Sequence, residues 1–326
     1  MIKIALIRNV SPKNHYGGIR KHCDALFSLF KNDESIQILP IKNIQGGEVP
    51  FIKKRYFKFK DIYDYIKKTN ADILHIHGFA TFDVIQSILI AKIFNKKIIY
   101  SPHFHPFEYL QRPLLGKIYF YLFIRPLLSF VSFIVTISNT DTNFFKKYHK
   151  RIVRIPHQFD SYIKKNDNIR TNNMILFVGR NEENKGIDHL YCIPLQYEVH
   201  CVTKGNLERK DFIIHSNISN EELDSLYSKA ALVVIPSRYE AFSYVALEAF
   251  AHGTPVVMSD TVKIADYLID LKGFSTFTYS NKNEFVKAIQ QTIGTEVEVD
   301  SILEQFKPEV IKDLYKKLYI NTINLL

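Results

Sequence analysis

The sequence ALVVIPSRYEAFSYVALEAFAHGTPVV occupies residues 231–257 and changes character twice along its length. It opens on a short apolar run rich in β-branched residues, which predicts a strand. Ser243 is a suitable N-cap for the helical segment YVALEAFAH, and Gly253, with a proline two residues later, predicts the end of that helix. TPVVMSD, residues 254–260, then predicts a second strand. A strand, a helix and a strand in this order indicate α/β structure.

Short β-branched runs of the same kind recur along the whole chain, separated by segments of helical length. The first series is KIALI (3–7), ADILHIH (71–77), KKIIYS (96–101), SFIVTIS (132–138) and RIVRIP (151–156). The second series is MILFVG (174–179), YEVHCVT (197–203), DFIIHS (211–216) and the two runs described above. Strands that are apolar throughout indicate a parallel sheet covered on both faces. We therefore predict two doubly wound α/β domains in tandem.

The predicted elements divide the chain into three parts. The first strand series lies in an N-terminal domain, residues 1–160, and the second in a C-terminal domain, residues 161–305. The polar stretch 157–173, rich in Asn and Lys, lacks a sustained period and is the best linker candidate. Residues 306–326 carry apolar side chains at helical spacing and predict a closing amphipathic helix.

The composition suits folded domains with anionic partners. The 326 residues, 46% of them hydrophobic, can bury two substantial cores, which argues against disorder. Lys and Arg number 43 against 33 Asp and Glu, and the net charge of +10 favours phosphorylated ligands, acidic lipid headgroups or nucleic acid. The three cysteines form no C-x-x-C pair, so neither a disulfide framework nor a cysteine zinc site is indicated. A reducing cytoplasm fits this cysteine usage.

Neither of two apolar stretches predicts a membrane-directed segment. The apolar run at the N-terminus is too short for a signal peptide and reads as a first strand. The most apolar region, 110–137, contains Arg112, Lys117 and Arg125, and its longest uninterrupted part is shorter than the ~20 residues that span a bilayer.

Two glutamates lie eight residues apart in the apolar and aromatic stretch YEAFSYVALEAF. On one helix, eight residues would separate Glu240 from Glu248 by ~12 Å, too far to share a metal or to form an acid/base dyad. The pattern instead places Glu240 on a loop and Glu248 within the helix, with the backbone of Ala241, Phe242 and Ser243 at the helix N-terminus. Carboxylates accept hydroxyl hydrogen bonds, and a helix N-terminus attracts phosphate. A nucleotide sugar has hydroxyls at both ends and a diphosphate in the middle.

The stretch PSRYEAFSYVALEAFAHGTPVV resembles the E-x7-E signature of retaining GT-B glycosyltransferases, especially glycosyltransferase family 4. The resemblance implies a GT-B fold, in which two Rossmann-like domains face a central cleft. It also implies that Glu240 contacts the hydroxyls of the donor sugar and Glu248 the ribose. The first domain would bind the acceptor and the second the nucleotide-sugar donor, with the closing helix returning to the first. The alternative is an ordinary amphipathic helix with two solvated acids.

A second segment of the C-terminal domain, which contains two basic residues, also resembles the family. LFVGRNEENKGIDHL, residues 176–190, is similar to its V-G-R…K-G segment, which implies that Arg180 and Lys185 grip the diphosphate. A planar guanidinium and an ammonium both suit a departing pyrophosphate, although surface charge is the alternative.

Beyond residue 260 the chain departs from the family pattern. TVKIADYLIDLKGF replaces the usual glycine-containing loop and its glutamate, and Asp266 is the nearest acid.

In the first domain the resemblance rests on a glycine pair and a histidine. Gly17 and Gly18, in NHYGGIRKH, match a glycine-rich loop whose backbone approaches the donor phosphates, although any tight turn could use them. His103, in YSPHFHPF, matches a histidine near the reacting sugar, and a structural histidine is the alternative. VRIPHQFD resembles the family's V-I-P-N-G-V-D stretch, with His157 and Gln158 in place of Asn and Gly.

The resemblance implies transfer of a sugar from a nucleotide donor to an acceptor hydroxyl with retention at the anomeric carbon. The departing phosphate would take the acceptor proton while Arg180, Lys185 and the helix N-terminus stabilise its charge. The sequence contains no D-x-D motif, so we expect no metal, and no G-x-G-x-x-G motif, so we expect no dinucleotide cofactor.

Basic and aromatic residues alternate in KKRYFKFKDIYDYIKK, residues 53–68, and the apolar region 110–131 carries Lys117 and Arg125. Such surfaces suit an anionic membrane. We therefore predict a cytoplasmic enzyme, peripheral on the inner face of the cell membrane, that acts on a lipid-linked glycan or on a lipopolysaccharide- or capsule-type acceptor. Core helices with solvated lysines are the alternative.

Three other functions compete with this interpretation. A metal-dependent hydrolase would use the histidines of HIH (75–77) and HFH (103–105), because alternate histidines share one face of a strand. A nucleotide-sugar epimerase would bind the same donor on the same fold without an acceptor. A nucleic-acid binder would explain the positive charge, but the chain carries no recognised nucleic-acid motif, so we expect no such partner.

Overall fold

The computed structural model describes residues 1–8, 18–39, 47–49, 52–56, 59–79, 82–103, 117–160, 170–205, 207 and 209–325. Gly17, His105, most of the linker candidate and residues 104–116 of the chain lie outside this part. The chain divides into two compact units, one comprising Met1–Gln158 with Pro308–Leu326 and the other Phe159–Lys307. The sequence predicts the corresponding boundaries at residues 160 and 305.

The first unit is built on a six-stranded parallel sheet. Its strands, in the spatial order β2-β1-β5-β6-β7-β8, are β1 (Ile2–Arg8), β2 (Ile36–Leu39), β5 (Ile73–His77), β6 (Lys97–Ser101), β7 (Phe133–Thr136) and β8 (Ile152–Arg154). A separate antiparallel hairpin is formed by β3 (Gly47–Val49) and β4 (Ile52–Tyr56). In register, Ile4 of β1 lies between Ile38 of β2 and Ile73 of β5.

Helices cover both faces of this sheet. They are α1 (Gly18–Leu29), α2 (Phe59–Thr69), α3 (Phe82–Ile93), the helical segment α4 (117–130), α5 (Asn139–Phe145) and, from the end of the chain, α11 (Pro308–Ile323). Successive β1 residues point to opposite cores, because side chains alternate along a strand. Ala5 packs with α2, α3 and α4 on one face, and Leu6 packs with α1 and with Tyr319 of α11 on the other.

The second unit repeats the plan with a second parallel sheet. Its strands, in the spatial order β11-β10-β9-β12-β13-β14, are β9 (Met174–Val178), β10 (Glu198–Val202), β11 (Ile213–His215), β12 (Leu232–Ile235), β13 (Val256–Ser259) and β14 (Phe274–Phe277). Its helices are α6 (Ile187–Leu190), α7 (Asn220–Lys229), α8 (Tyr244–Ala251), α9 (Lys282–Thr292) and α10 (Val299–Glu304), with 3-10 turns at Glu183–Lys185 and Lys263–Tyr267. The predicted doubly wound α/β class is therefore confirmed for both units.

Each sheet has one point at which the strand order reverses. In the first unit the chain runs outward from β1 to β2 and in the other direction from β5 to β8, so the reversal lies between β1 and β5. In the second unit it lies between β9 and β12. In open α/β sheets, ligands bind at the carboxyl ends of the strands beside such a switch point.

The 110–137 region is helical from residue 117 to residue 130 and continues into β7. Among the helices of the described part, none is both long enough and apolar enough to cross a bilayer.

Candidate functional site

The candidate site of the second unit lies where β9 and β12 end, at the switch point of the sheet. β9 is followed by Gly179, Arg180 and the 3-10 turn that contains Lys185. β12 is followed by a loop that carries Glu240 and then by α8, which carries Glu248. Sequence segments separated by about fifty residues therefore meet at one edge of the sheet.

Lys185 and Glu240 form the central contact of this site. Lys185 Nζ lies 3.2 Å from Glu240 Oε2, and the two side chains are only 19% and 17% exposed. Ser237 Oγ donates a hydrogen bond of 3.1 Å to the same carboxylate oxygen. Two donors thus hold one oxygen of Glu240, and a carboxylate has further lone pairs with which to accept ligand hydroxyls.

A glycine brings the two loops together. Gly186 has a φ of +67°, and a Cβ built there would lie 1.6 Å from the carbonyl oxygen of Pro236. No side chain fits in this space, so glycine is required both by the conformation and by the close approach of the β12 loop. The backbone N–H of Arg238 also donates to the carbonyl of Asn184 at 2.8 Å. The K-G pair of the sequence motif therefore fixes Lys185 beside Glu240.

The backbone of Glu240 is hydrogen-bonded to the segment that follows β13. This is the segment that departs from the family pattern. The N–H of Glu240 donates to the carbonyl of Thr261 at 3.2 Å, and the N–H of Lys263 donates to the carbonyl of Glu240 at 2.9 Å. These two bonds make an isolated parallel bridge between Glu240 and Val262. TVKIADYLIDLKGF thus begins as a support for the glutamate, and Asp266 lies in the 3-10 turn that follows.

Glu248 lies within α8 and is held from α7. Tyr227 donates its hydroxyl hydrogen to Glu248 Oε2 at 2.9 Å. Burial and the neighbouring charge of Glu248 raise the pKa of Tyr227 well above its ordinary value, so the phenol keeps its proton and acts as a donor. The two glutamates thus have separate partners, Lys185 for one and Tyr227 for the other, as their spacing predicted.

The N-terminus of α8 lies between the two glutamates in the sequence. Ser243 is fully buried and caps the helix, since its Oγ accepts from the N–H of Ala246 at 3.4 Å. Phe242 is buried and packs edge-to-face on Phe306, and Ala241 is half-buried. The predicted cap is confirmed, whereas phosphate binding by the backbone of residues 241–243 stays a prediction.

Arg180 does not join the Lys185 and Glu240 contact. Its side chain is 65% exposed and forms an ion pair with Glu182 at 2.7 Å. An exposed pair of this kind contributes little to stability, so Arg180 can exchange Glu182 for an anionic ligand at small cost.

The first-unit candidates lie at the carboxyl ends of its strands. α1 begins at Gly18, after the part of the β1–α1 connection that the structure does not describe. His103 follows β6 with a left-handed φ of +49°, and its Nε2 lies 2.9 Å from Nδ1 of His77 at the end of β5. Its role toward a donor sugar stays a prediction.

The sequence analysis did not identify three residues that contact the predicted site residues. Ser237 and Tyr227 support the two glutamates, but a lone serine or tyrosine carries no motif. His22, on α1, lies with its ring centroid 5.4 Å from that of His103 and 4.2 Å from that of His157. The HIH and HFH patterns had pointed to His77 and His103 as metal ligands, but no pattern pointed to His22.

The histidine pattern proposed for a hydrolase is only partly reproduced. His75 and His77 lie on one face of β5, with ring centroids 4.1 Å apart. However, His75 Nδ1 lies 3.0 Å from the hydroxyl of Tyr319, and His75 Nε2 lies 2.8 Å from the hydroxyl of Ser101. Because both ring nitrogens of His75 have hydrogen-bond partners, the H-x-H pair does not supply two ready metal ligands.

Exposed apolar residues cover one side of α4. Phe120 and Ile124 face the core, whereas Leu122 and Phe123 are 65% and 46% exposed. The guanidinium of Arg125 lies 5.7 Å from the ring centre of Tyr121, which is also exposed. The surface formed by Tyr121, Leu122, Phe123 and Arg125 therefore combines apolar, aromatic and cationic groups.

Residues 158–305 match the family model described as Glycosyl transferases group 1. A Klebsiella pneumoniae protein described as an uncharacterized 41.2 kDa protein in the cps region is 25% identical, over 63% of this chain and 64% of that protein. An uncharacterized glycosyltransferase of Methanocaldococcus jannaschii is 26% identical, over 79% of this chain and 80% of that protein. The chain thus spans a little under two thirds of the first relative and four fifths of the second.

Solved structures share the whole architecture. The lipopolysaccharide outer core galactosyltransferase WaaB, in its apo form, superposes with a TM-score of 0.69 and 15% identity, over 98% of this chain and 99% of that chain. Anabaena HepE in complex with UDP-glucose superposes with a TM-score of 0.69 and 14% identity, over 98% of this chain and 100% of that chain. At these identities the likeness concerns the fold, and the GT-B class expected from the sequence is confirmed.

Proposed function

Residues 158–305 match the glycosyl transferases group 1 family, and from that match we propose that the chain is a glycosyltransferase that transfers a sugar from a nucleoside diphosphate sugar to an acceptor hydroxyl with retention. The observation that carries the proposal is the contact between Lys185 and Glu240, 3.2 Å apart at the switch point of the second sheet. A cation for phosphate and an anion for hydroxyls are thereby held side by side.

The donor is proposed to lie along the loop and helix that carry the two glutamates. Glu240 would accept hydrogen bonds from the sugar hydroxyls, and Glu248, oriented by Tyr227, would accept them from the ribose. The diphosphate would meet Lys185, Arg180 and the backbone N–H groups at the start of α8. HepE, which shares the fold, was solved with UDP-glucose, so a UDP-sugar is the first donor to test.

The proposed chemistry relies on stabilisation of the leaving diphosphate. As the glycosidic bond to the phosphate breaks, negative charge grows on the phosphate oxygen, which takes the proton of the attacking acceptor hydroxyl. Lys185 acts where this charge develops, and such a preorganised group contributes roughly 2.7–4 kcal/mol to transition-state stabilisation. Its ion pair with Glu240 fixes the ammonium before the donor binds. Protein cations and helix N–H groups thus supply the charge neutralisation in this proposal.

The acceptor is proposed to be a lipid-linked glycan, or a lipopolysaccharide- or capsule-type glycan, reached at the cytoplasmic face of a membrane. The exposed surface of α4 supports peripheral binding, because Leu122 and Phe123 can enter the headgroup region while Arg125 meets anionic lipid. The net charge of +10 acts in the same direction. A relative encoded in a cps region and the fold of a lipopolysaccharide galactosyltransferase are compatible with such acceptors.

Donor binding is the first test. Purified protein is titrated with UDP-, GDP-, ADP- and CMP-sugars by calorimetry, alongside Glu248→Gln and the control Glu221→Gln, an exposed glutamate on α7. We expect one donor class to bind, Glu248→Gln to weaken it at least tenfold, and Glu221→Gln to leave it unchanged. If no nucleotide sugar binds, or if both variants behave alike, the proposed donor site is wrong. Product analysis then separates transfer from epimerisation, since an epimerase returns an altered nucleotide sugar without an acceptor.

Membrane binding is tested separately by co-sedimentation with vesicles of anionic and of zwitterionic lipid. We expect the wild type to sediment with anionic vesicles and the double variant Leu122→Ser, Phe123→Ser to lose this binding. The control Leu195→Ser changes a leucine of the second unit that is 81% exposed and should have no effect. Equal sedimentation of all three proteins would rule out this surface as the membrane contact.

A further inference from the structure

A cluster of three imidazoles, two buried and one half-buried, lies at the carboxyl end of the first sheet, beside its switch point. His77 ends β5, His103 follows β6, and His22 projects from α1. The rings are in mutual contact, with centroids 5.7 Å apart for His22 and His77 and 5.2 Å apart for His77 and His103. One nitrogen from each of the three rings can be chosen so that all three lie within 4.8 Å of one another.

Each of these rings has one buried nitrogen without a hydrogen-bond partner among the described residues. They are His22 Nδ1, His77 Nε2 and His103 Nδ1. The other nitrogens are engaged, because His22 Nε2 lies 3.2 Å from the hydroxyl of Tyr315 and His77 Nδ1 lies 2.9 Å from His103 Nε2. A buried polar atom left unsatisfied destabilises the folded chain, so three in one cluster point to a missing ligand.

The three rings lie in surroundings that disfavour the protonated, charged form of imidazole. Burial lowers the pKa of His22 to about 4. Burial, followed by the neighbouring histidines, holds the pKa values of His77 and His103 well below the ordinary value. Neutral imidazoles keep a lone pair on one nitrogen, which is the form that binds metal.

The backbone conformation of His103 is a separate observation that its position is constrained. His103 adopts a left-handed φ of +49°, which is uncommon for a residue other than glycine and is retained where the surroundings impose it. This conformation places the ring against His77 and His22. The second layer is also formed, since Tyr315 of α11 contacts His22 and can orient its ring as outer-layer partners orient metal ligands.

From these observations we propose that His22, His77 and His103 form a binding site for a transition-metal ion of the zinc class. Three histidines are a common ligand set for Zn²⁺, with a fourth position for water, and the bonds are about 2.0–2.1 Å long. Ligand nitrogens in such a site are roughly 3.4 Å apart, so the rings must move together slightly to hold an ion. The ion would connect α1, β5 and the residue after β6. It lies in the first unit and uses none of the second-unit residues proposed above to bind the donor.

The test measures metal directly, on full-length protein purified with a tag that contains no histidine. After treatment with a chelator and its removal, Zn²⁺ is titrated in competition with a chromophoric chelator, and Co²⁺ is titrated while its visible absorption is recorded. We expect one ion per chain, visible Co²⁺ bands of a low-coordinate histidine site, and a higher melting temperature with Zn²⁺. No tight equivalent of Zn²⁺ together with no Co²⁺ band would overturn the proposal, without any bearing on donor binding.

Variants then assign the ligands. His22→Gln and His77→Gln are expected to weaken Zn²⁺ binding more than tenfold, and Tyr315→Phe to weaken it less, because it removes only the contact that orients His22. His200→Gln is the matched control, since His200 also lies 2.9 Å from another histidine, His215, but in the second unit. Circular dichroism confirms that each variant is folded before titration. Zn²⁺ binding that survives in folded His22→Gln and His77→Gln, or that is lost in His200→Gln, would contradict the assignment.

Discussion

Lys185 and Glu240 lie 55 residues apart in the sequence, yet their ammonium and carboxylate are 3.2 Å apart and more than four-fifths buried. Removing one member of a buried pair leaves the other charge uncompensated, which costs more than removing both. Lys185→Met and Glu240→Gln are each expected to reduce kcat/KM for the donor by roughly 10²–10³, as the loss of a preorganised charge does.

The two substitutions should not be additive in stability. Because the double variant buries no lone charge, its free energy of unfolding should exceed the value expected from the sum of the single losses. Chemical denaturation of all four proteins measures this coupling. Strict additivity would mean that the ion pair is not formed in solution.

Gly186→Ala is expected to destabilise the second unit by more than about 2 kcal/mol, because the new Cβ would collide with the Pro236 carbonyl and the φ of +67° disfavours a side chain. Gly294→Ala is the matched control, since Gly294 has a φ of +74° and a Cβ added there would meet no atom within 4 Å. It should cost only the conformational strain of about 1–2 kcal/mol. Urea unfolding compares the two, and equal midpoints would refute the close approach.

Tyr227→Phe removes one hydroxyl and keeps the ring. We expect it to weaken nucleotide-sugar binding by about 1.5–3 kcal/mol, the range for a hydrogen bond to a charged group, because Glu248 loses the donor that orients it. Calorimetric titration with the donor found in the screen measures the effect. Tyr197→Phe, on the border of β10, serves as control, and a similar loss in both would show that the effect is not specific to Glu248.

Asp33 should make the first unit sensitive to acid. Its Oδ2 lies 3.1 Å from Lys312 Nζ and 3.2 Å from Lys316 Nζ of α11. Burial alone would raise the pKa of Asp33, but hydrogen bonds from Ser35 and the two lysines outweigh it and lower the pKa below its usual value.

A group whose pKa is lower in the folded state stabilises the protein above its unfolded pKa, near 4, and loses that contribution as the pH falls toward the folded value. Denaturation between pH 2 and pH 7 should therefore show a decline below about pH 4 that is smaller in Asp33→Asn. Asp313→Asn, an exposed acid on α11, should retain the wild-type decline. A profile for Asp33→Asn that matches the wild type would exclude this contribution.

The central strands were predicted because they are continuous apolar runs with both faces buried, as in β5 and β12, where every residue is buried. The edge strands β8 and β11 were predicted from their pairs of β-branched residues, although none of their residues is buried. β2 was missed because it is a short edge strand, IQIL, in which Gln37 is exposed and interrupts the apolar run. β14, FSTF, was missed for the same reason, since only Phe277 of its four residues is buried.

Site residues could be predicted from the sequence where their role depends on their position next to a predicted strand or within a predicted helix. Glu240, Glu248 and Lys185 stood out through their positions after strands and within a helix, and the first and last of these meet in the structure. Tyr227 and His22 could not be found in this way, because their contacts depend on how helices pack beside one another and on the sheet, which no local spacing encodes. Arg180 was identified by its position in the motif, but that position did not predict its ion pair with Glu182.

The position of α11 at the end of the chain affects how the first unit folds during translation. Tyr315 and Tyr319 of α11 complete one core of a sheet whose strands all lie before residue 158. At ~5–20 residues per second, the ribosome needs roughly 8–30 seconds to make the intervening second unit. Throughout that interval the face of the first sheet that holds Ile4 and Leu6 lacks its last helix. We expect the nascent chain to depend on chaperones in this window, and the half that is translated first to be the half that matures last.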